Sequence, residues 1–428
     1  MILFIILMLV SAYNIVEAQS PQWRLLTNSP GISGSGRFED MYFINENTGW
    51  IISFGGQSYK TTNGGANWTV QNSIINLSRS IGFFDQNTGI LGTLSANVLY
   101  RSTNGGLSYA VIQNLPPPAP TGICGISIVN ESIAYACGAY YGPGIILKTI
   151  DKGATWTNVF SDSSLARSLV DCYFWTPDSG IAVGGYNTST GFANGNAVVI
   201  RTTNGGLTWH RVYRTSRTRE WCWKISFISR DIGFVSIERE SGFSYILKTT
   251  NNGNNWSEIP FREYDQEGIG FINESTGWIG GWTGPTYMTT NGGTNWQPAG
   301  WGTYLNRFRF ISDTLAYAVG DRVYKYSVGT VGITNSPSEV PSEFTLHQNF
   351  PNPFNPSTLI TFEVSRPGQY ELSVFDALGS KVSELMNNKL NPGSYNVMFE
   401  GSSMPSGVYY YRLSNGLNSF SRKMLMVK

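Results

Sequence analysis

The chain has 428 residues, of which 13% are charged, with 29 Lys and Arg against 28 Asp and Glu. So even a balance carries no electrostatic signature of nucleic acid or anionic lipid as partner. Its 48 glycines and 14% aromatics suit many short strands joined by tight turns and argue against long helices. At the N-terminus, Ile2 to Val10 form an apolar run too short to cross a bilayer, and Val16 and Ala18 are small residues of the kind read by a signal peptidase. Residues 1–18 are therefore expected to be a signal peptide cut before Gln19, although no Lys or Arg precedes the apolar run.

From there to about residue 328 the sequence repeats itself. One motif is a turn box: TTNGGANW at Thr61–Trp68, STNGGLSY at Ser102–Tyr109, TIDKGATW at Thr149–Trp156, TTNGGLTW at Thr202–Trp209, TTNNGNNW at Thr249–Trp256 and TTNGGTNW at Thr289–Trp296. A second motif opens on Phe43, Phe83, Ile128, Phe174, Phe227, Phe271 and Phe310 and runs into a turn, as in FINENTGW and FINESTGW. Its copies lie 39 to 53 residues apart, the length of one four-stranded propeller blade. The box reads as the hairpin turn between third and fourth strands. Its Asn or Asp caps the turn, its glycines take positive φ and its Trp packs into the blade.

Seven strand-leading motifs meet only six boxes, so the last unit, ending at Arg322–Val328, lacks a fourth strand. PQWRLL, just after the predicted cleavage site, has the character of that strand and is expected to close the ring. The expected fold is all-β, a seven-bladed β-propeller over 19–328. The box resembles the Asp-box (BNR) repeat, and the arrangement from Gln19 to Ser327 resembles the propellers of the photosystem II assembly/stability-factor family. That resemblance implies a fold and leaves the activity open.

Residues 329–343, rich in Gly, Ser, Thr and Pro, read as a linker. Beyond it, TLITFEV, QYELSVFD, SYNVMFE and GVYYYRLS alternate as the strands of a small Ig-like β-sandwich. The segment 344–428 resembles the type A C-terminal sorting domain of the type IX (Por) secretion system. The resemblance is carried by Pro351, Asn352, Pro353, Phe354, Asn355 and Pro356, by Gly379 and Gly407, and by Tyr409 and Lys423. It implies passage through the outer membrane of a Bacteroidetes-type cell, with the secretion machinery as partner.

Four cysteines in an exported chain raise the question of disulfides. Cys124 and Cys137 are equidistant from a turn at Asn130–Glu131 and are expected to face each other across a hairpin, at a separation a disulfide can bridge. Cys172 and Cys222 form a weaker pair, and buried free thiols are the alternative for all four.

Two histidines, His210 and His347, leave no material for a His-dependent triad or a His-rich metal site. No cofactor-binding fingerprint is present, and neither a cofactor nor a metal is expected. The connections between one blade's fourth strand and the next blade's first carry Arg37, Arg79, Arg167, Arg219, Arg262 and Arg307. Trp221 and Trp223 follow closely, and Trp282 lies in a loop expected on the same face. Arginine and aromatics are the material of a recognition surface. The expectation is an exported, non-enzymatic recognition propeller for a glycan, peptide or protein. The alternatives are a carbohydrate-active hydrolase drawing on Asp40, Asp171, Asp265 or Glu267, or a scaffold module of a surface assembly.

Overall fold

The computed structural model describes residues 21–427 apart from 33–35, 72–74, 187–193, 240–241, 262, 264, 283, 328–333, 337–343 and 402–403. The expected signal peptide, Arg262 and most of the expected linker lie outside the described residues.

Each repeat forms a four-stranded antiparallel sheet, and the local chemistry shows why. Phe174 at the end of one inner strand lies flat over Gly180 of the next strand, where an added Cβ would sit 2.3 Å from the ring. Phe43, Phe83, Phe227 and Phe271 meet Gly49, Gly89, Gly233 and Gly277 in the same way. In the third and seventh blades Ile128 and Phe310 are followed by Ala134 and Ala316 at the corresponding positions. The boxes close identically: Thr61 Oγ1 donates to Asn63 Oδ1 (3.0 Å), while the Gly65 and Asn67 amides donate to Thr61 Oγ1 and Asn63 Oδ1 (both 2.9 Å). Gly64 and Gly65 hold φ of 65° and 85°, the left-handed region that glycine enters without steric cost. The boxes also latch neighbouring blades: Trp50 Nε1 donates to Gly105 O (2.8 Å), and Tyr317 Oη, from the last blade, to Gly64 O of the first (3.0 Å).

Seven such sheets lie between Gln22 and Ser327. Their inner strands are Phe38–Phe43, Ser78–Phe83, Gly125–Ile128, Ser168–Phe174, Glu220–Phe227, Gln266–Phe271 and Arg307–Ser312. Each packs against the next, and the last against the first, so the ring is closed. The seventh blade takes its outer strand from the N-terminus: Gln22–Leu25 pairs antiparallel with Tyr324–Ser327. Trp23 stacks on Trp301 at 4.6 Å and meets Trp278 edge-on at 5.5 Å. This is the closure expected from PQWRLL.

The inner strands share an irregularity absent from the sequence pattern. In the first, second, fourth, fifth and sixth blades the pairing with the second strand slips near its start, leaving Glu39, Arg79, Val170, Trp223 with Lys224, and Glu267 unpaired. A β-bulge bends its strand and re-aims the extra side chain. Here the bulges gather buried charge near the ring axis.

Pro21–Ser327 is one compact unit, and the chain beyond Ser327 belongs to another. The second is a sandwich of two four-stranded sheets around Phe354, Ile360, Phe362, Leu372, Val374, Val397, Tyr411, Leu413 and Met424. Thr334–Ser336, expected within the linker, pairs instead as an edge strand with Ser394–Asn396. The residues that carry the resemblance to a sorting domain are built into the sandwich. Phe354 is buried and its amide donates to Leu425 O (2.9 Å), while Asn352 Oδ1 accepts from the Leu425 amide (2.8 Å). Tyr409 Oη donates to Pro405 O (2.8 Å), Lys423 O accepts from Gln348 Nε2 (2.8 Å), and Gly379 turns at φ 83°.

The cysteine expectation is corrected. All four thiols are free and buried. Asn130 Oδ1 accepts from the Ser132 and Ile133 amides, a side-chain-capped turn that puts Ile128 opposite Ala134 and Gly125, rather than Cys124, opposite Cys137. The Cys172 thiol of the next blade donates to Tyr135 O (3.9 Å), and burial raises the Cys137 thiol well above the usual thiol range.

Candidate binding site in the central channel

The inner strands all run from the face bearing the fourth-to-first connections toward the face bearing the first-to-second turns. Their beginnings and ends therefore line opposite ends of one channel. At the beginnings the bulges assemble an ion network. Glu39 accepts from Arg37 Nε (3.2 Å), Arg79 Nη1 (2.7 Å) and Asn306 Nδ2 (2.9 Å). Arg37 also pairs with Glu267. Arg307 donates from Nε to Asp40 Oδ1 (2.8 Å) and, bidentate, from Nη1 and Nη2 to Asp171 (2.8 and 3.2 Å). It thus ties the seventh blade to the first and fourth.

Burial works against charge throughout this network, and neighbours decide each outcome. For Glu39 burial is outweighed by Arg37, Arg79 and Lys224, and for Asp171 by Arg307 and Lys224, so both carboxyls titrate below their usual range. Burial raises Glu267 despite Arg37. Burial, then the charges of Glu267 and Asp265, push Glu238 well above the carboxylate range. Lys224, buried and facing Arg307, is pushed down to about 8 against the pull of Asp171 and Asp40.

These placements change the meaning of the expected arginine rim. Arg37, Arg79 and Arg307 do converge, but they are 1%, 6% and 7% exposed and pair with protein carboxylates rather than facing solvent. The bulges turn them inward, and acids from other blades neutralise them. Arg167 and Arg219 are exposed. Trp221 and Trp223 are buried and pack with Val170 and Tyr140 as an aromatic plug at this end. Trp223 Nε1 donates across to Asn306 Oδ1 (3.3 Å). Trp282, 40% exposed, carries Arg37 over its ring at 4.0 Å.

The opposite end holds a cavity of about 660 Å³ that the sequence reading missed. The Arg307–Asp171 pair lies among its lining residues, and the walls come from the ends of the inner strands. Tyr42, Tyr173, Trp175, Phe227 and Phe310 are among them, with Arg309 reaching in and Arg230 exposed. Tyr173 stacks on Phe227 at 5.2 Å, and Trp175 meets Phe227 edge-on at 4.8 Å. The signal was present in the alternation of the inner strands: Tyr42 and Arg309 each stand one residue before a motif-leading position that was read only as packing.

Comparison with known proteins bears on both units. Residues 348–428 match the secretion system C-terminal sorting domain, so the chain carries a tail of the type IX kind that directs export to the cell surface or the medium. No curated protein matches the sequence. Among solved structures, the chain is similar to YCF48 bound to D1 peptide, with TM-score 0.54 and 17% identity over 72% of this chain and 97% of that one. YCF48 from Cyanidioschyzon merolae gives 0.53 and 18% over 71% and 98%. An ancestral GH74 enzyme gives 0.53 and 14% over 94% and 63%. At these identities the likeness is one of fold, shared by a peptide-bound protein and a GH74 enzyme.

Proposed function

We propose that this is an exported recognition propeller that binds its ligand in the aromatic cavity at the first-to-second-turn end of the channel. The observation that carries the reading is the channel's asymmetry. One end is filled by ion pairs and an aromatic plug; the other is an aromatic-walled cavity with Arg309 inside it. Concave, mostly apolar sites with a few convergent polar groups are where small ligands and chain segments bind. Export follows the sorting tail, with the type IX machinery as the partner that handles it, and the ligand is met outside the cell.

A hydrolase is the weaker reading. Glycoside hydrolysis needs a carboxyl able to give up a proton beside a second carboxylate. Asp171, the acid lining the cavity, is clamped by Arg307 and held below the usual range. The acids with raised values, Glu238 and Glu267, are not among the lining residues. Screening the full chain on glycan and peptide arrays, with release of reducing sugar followed in parallel, tests the proposal. Binding without turnover is expected. Cleavage abolished by a single acidic substitution at the ring centre would overturn it.

A further inference from the structure

Resting on that reading, we infer that the cavity takes the acid group of an anionic saccharide, a carboxylate or a sulfate, in a cradle of side-chain donors centred on Arg309.

Polar atoms make up most of the surface this cavity exposes, and its polar side chains have spent their acceptors and kept their donors. Ser127 Oγ, from the third blade, accepts from the Phe174 amide (3.0 Å), and Ser226 Oγ, from the fifth, accepts from the Phe271 amide (3.2 Å). Thr176 Oγ1 accepts from the Ser179 amide (3.1 Å), and Ser229 Oγ from the Ile232 amide (3.1 Å). None of these four hydroxyls donates a hydrogen bond among the described residues, so each has its proton to offer a ligand. Asp171, the acid of the lining, is filled by Arg307 and by the Ile225 amide.

Charge points the same way. Arg309 donates from Nε to Met41 O (3.1 Å) and lies over the Tyr42 ring at 5.1 Å, with no carboxylate partner among the described residues. Its two remaining nitrogens form a fork that suits an oxyanion. Tyr42 and Tyr173, from the first and fourth blades, both feel its charge, and neither hydroxyl has a hydrogen-bond partner among the described residues. Burial raises both phenols, with Arg309 only partly opposing, so both are donors at neutral pH. Asp171 balances Arg307, whereas Arg309 and the exposed Arg230 leave the lining positive in a chain whose net charge is only +1.

A donor-lined wall also selects what carries the acid. A peptide brings an N–H with nearly every carbonyl, and in this cavity those groups would meet other donors. A saccharide hydroxyl turns to accept wherever a proton is offered, and the rings of Tyr173 and Trp175 give its sugar flat faces to lie against.

The test is calorimetric titration of the full chain with a galacturonate hexamer, its methyl ester, a carrageenan hexasaccharide whose acid groups are all sulfates, and hexaglutamate. At least one acid saccharide is expected to bind, galacturonate assigning the cradle to carboxylates and carrageenan to sulfates. The methyl ester and hexaglutamate should each bind more weakly by roughly tenfold or more, the worth of a charge-assisted hydrogen-bond pair. Arg309→Gln should bring the acid saccharide down to the level of the ester. Arg309→Lys, which keeps the charge and loses the fork, should recover part of the difference, and Tyr173→Phe should cost a smaller part of it. Ester or hexaglutamate binding as tightly as the acid saccharides, no binding by either acid saccharide, or unchanged binding in Arg309→Gln would overturn the inference. The recognition reading survives each of these results if Phe227→Ala weakens an interaction found on the arrays, and falls if it weakens none.

Discussion

Replacing Arg307 with Met tests whether the ion network is what holds the ring at its axis. Arg307 is the common partner of Asp40 and Asp171, contributed by the first and fourth blades, through contacts of 2.8 to 3.2 Å with all groups buried. Removing one member of a buried pair leaves an uncompensated charge and costs about 3–5 kcal/mol. The low end applies here. Asp40 and Asp171 keep backbone donors from Ile81 (3.0 Å) and Ile225 (3.2 Å), and Lys224 remains close to both. A loss of about 3 kcal/mol is therefore expected at pH 7, read by urea unfolding followed through tryptophan fluorescence. The pH dependence identifies the cause. In the native protein Asp171 titrates below its unfolded value, so its contribution is intact above roughly pH 4 and is lost as the pH falls further. Without Arg307, burial is opposed only by Lys224 and the Ile225 amide, and the folded value rises above the unfolded one. The resulting penalty is present at neutral pH and relaxes on acidification. The gap between variant and native protein should thus shrink from pH 7 to about pH 4.5, and adding Asp171→Asn should recover part of it. A gap of the same size at both pH values, with no recovery in the double variant, would refute the reasoning.

Three further outcomes follow from the fold. Trp23→Ala, which removes the ring stacked between Trp301 and Trp278, should destabilise the propeller by roughly 3 kcal/mol, and removing Gln19–Leu26 should cost more by baring a sheet edge; an unchanged melting temperature would contradict the closure. Thiol titration without reductant should find no reactive cysteine in the native protein and four after unfolding, since all are buried and free, whereas fewer than four would reveal a disulfide. Deleting Phe344–Lys428 should leave the propeller's melting unchanged, because each unit has its own core, and strand the protein in the periplasm; delivery to the surface without the tail would contradict its sorting role.

The blades were legible because their chemistry is local. Thr61, Asn63 and Gly65 close a turn within eight residues, and the bulk of Phe174 demands a glycine six positions on, so the repeat survives in the sequence. Closure by Gln22–Leu25 was legible as an absence, since the last repeat ends one strand short. The axis was not legible, because it is built by register. A one-residue slip turns Glu39, Arg79 and Glu267 inward, and nothing in FEDMYF or SRSIGF announces the bulge. Glu238 escaped notice for a similar reason, because it lies on a second strand and meets Glu267 only when the fifth and sixth blades pack together. The Cys124–Cys137 pairing failed by one residue, on a turn whose Asn cap shifted the count. Of the expected arginines, Arg37, Arg79 and Arg307 meet in one buried network. Their carboxylate partners lie up to 267 positions away in the chain, beyond what pattern alone connects.

The most direct measurement compares the two ends of the channel with one ligand from the array screen. Affinity should fall by at least roughly tenfold in Phe227→Ala and Tyr173→Ala, which strip the cavity wall, and stay within about twofold in Arg219→Ser and Trp282→Ala at the plugged end. The reverse pattern, with the cavity variants binding normally and the Arg219 and Trp282 variants failing, would place recognition on the other face and contradict the account.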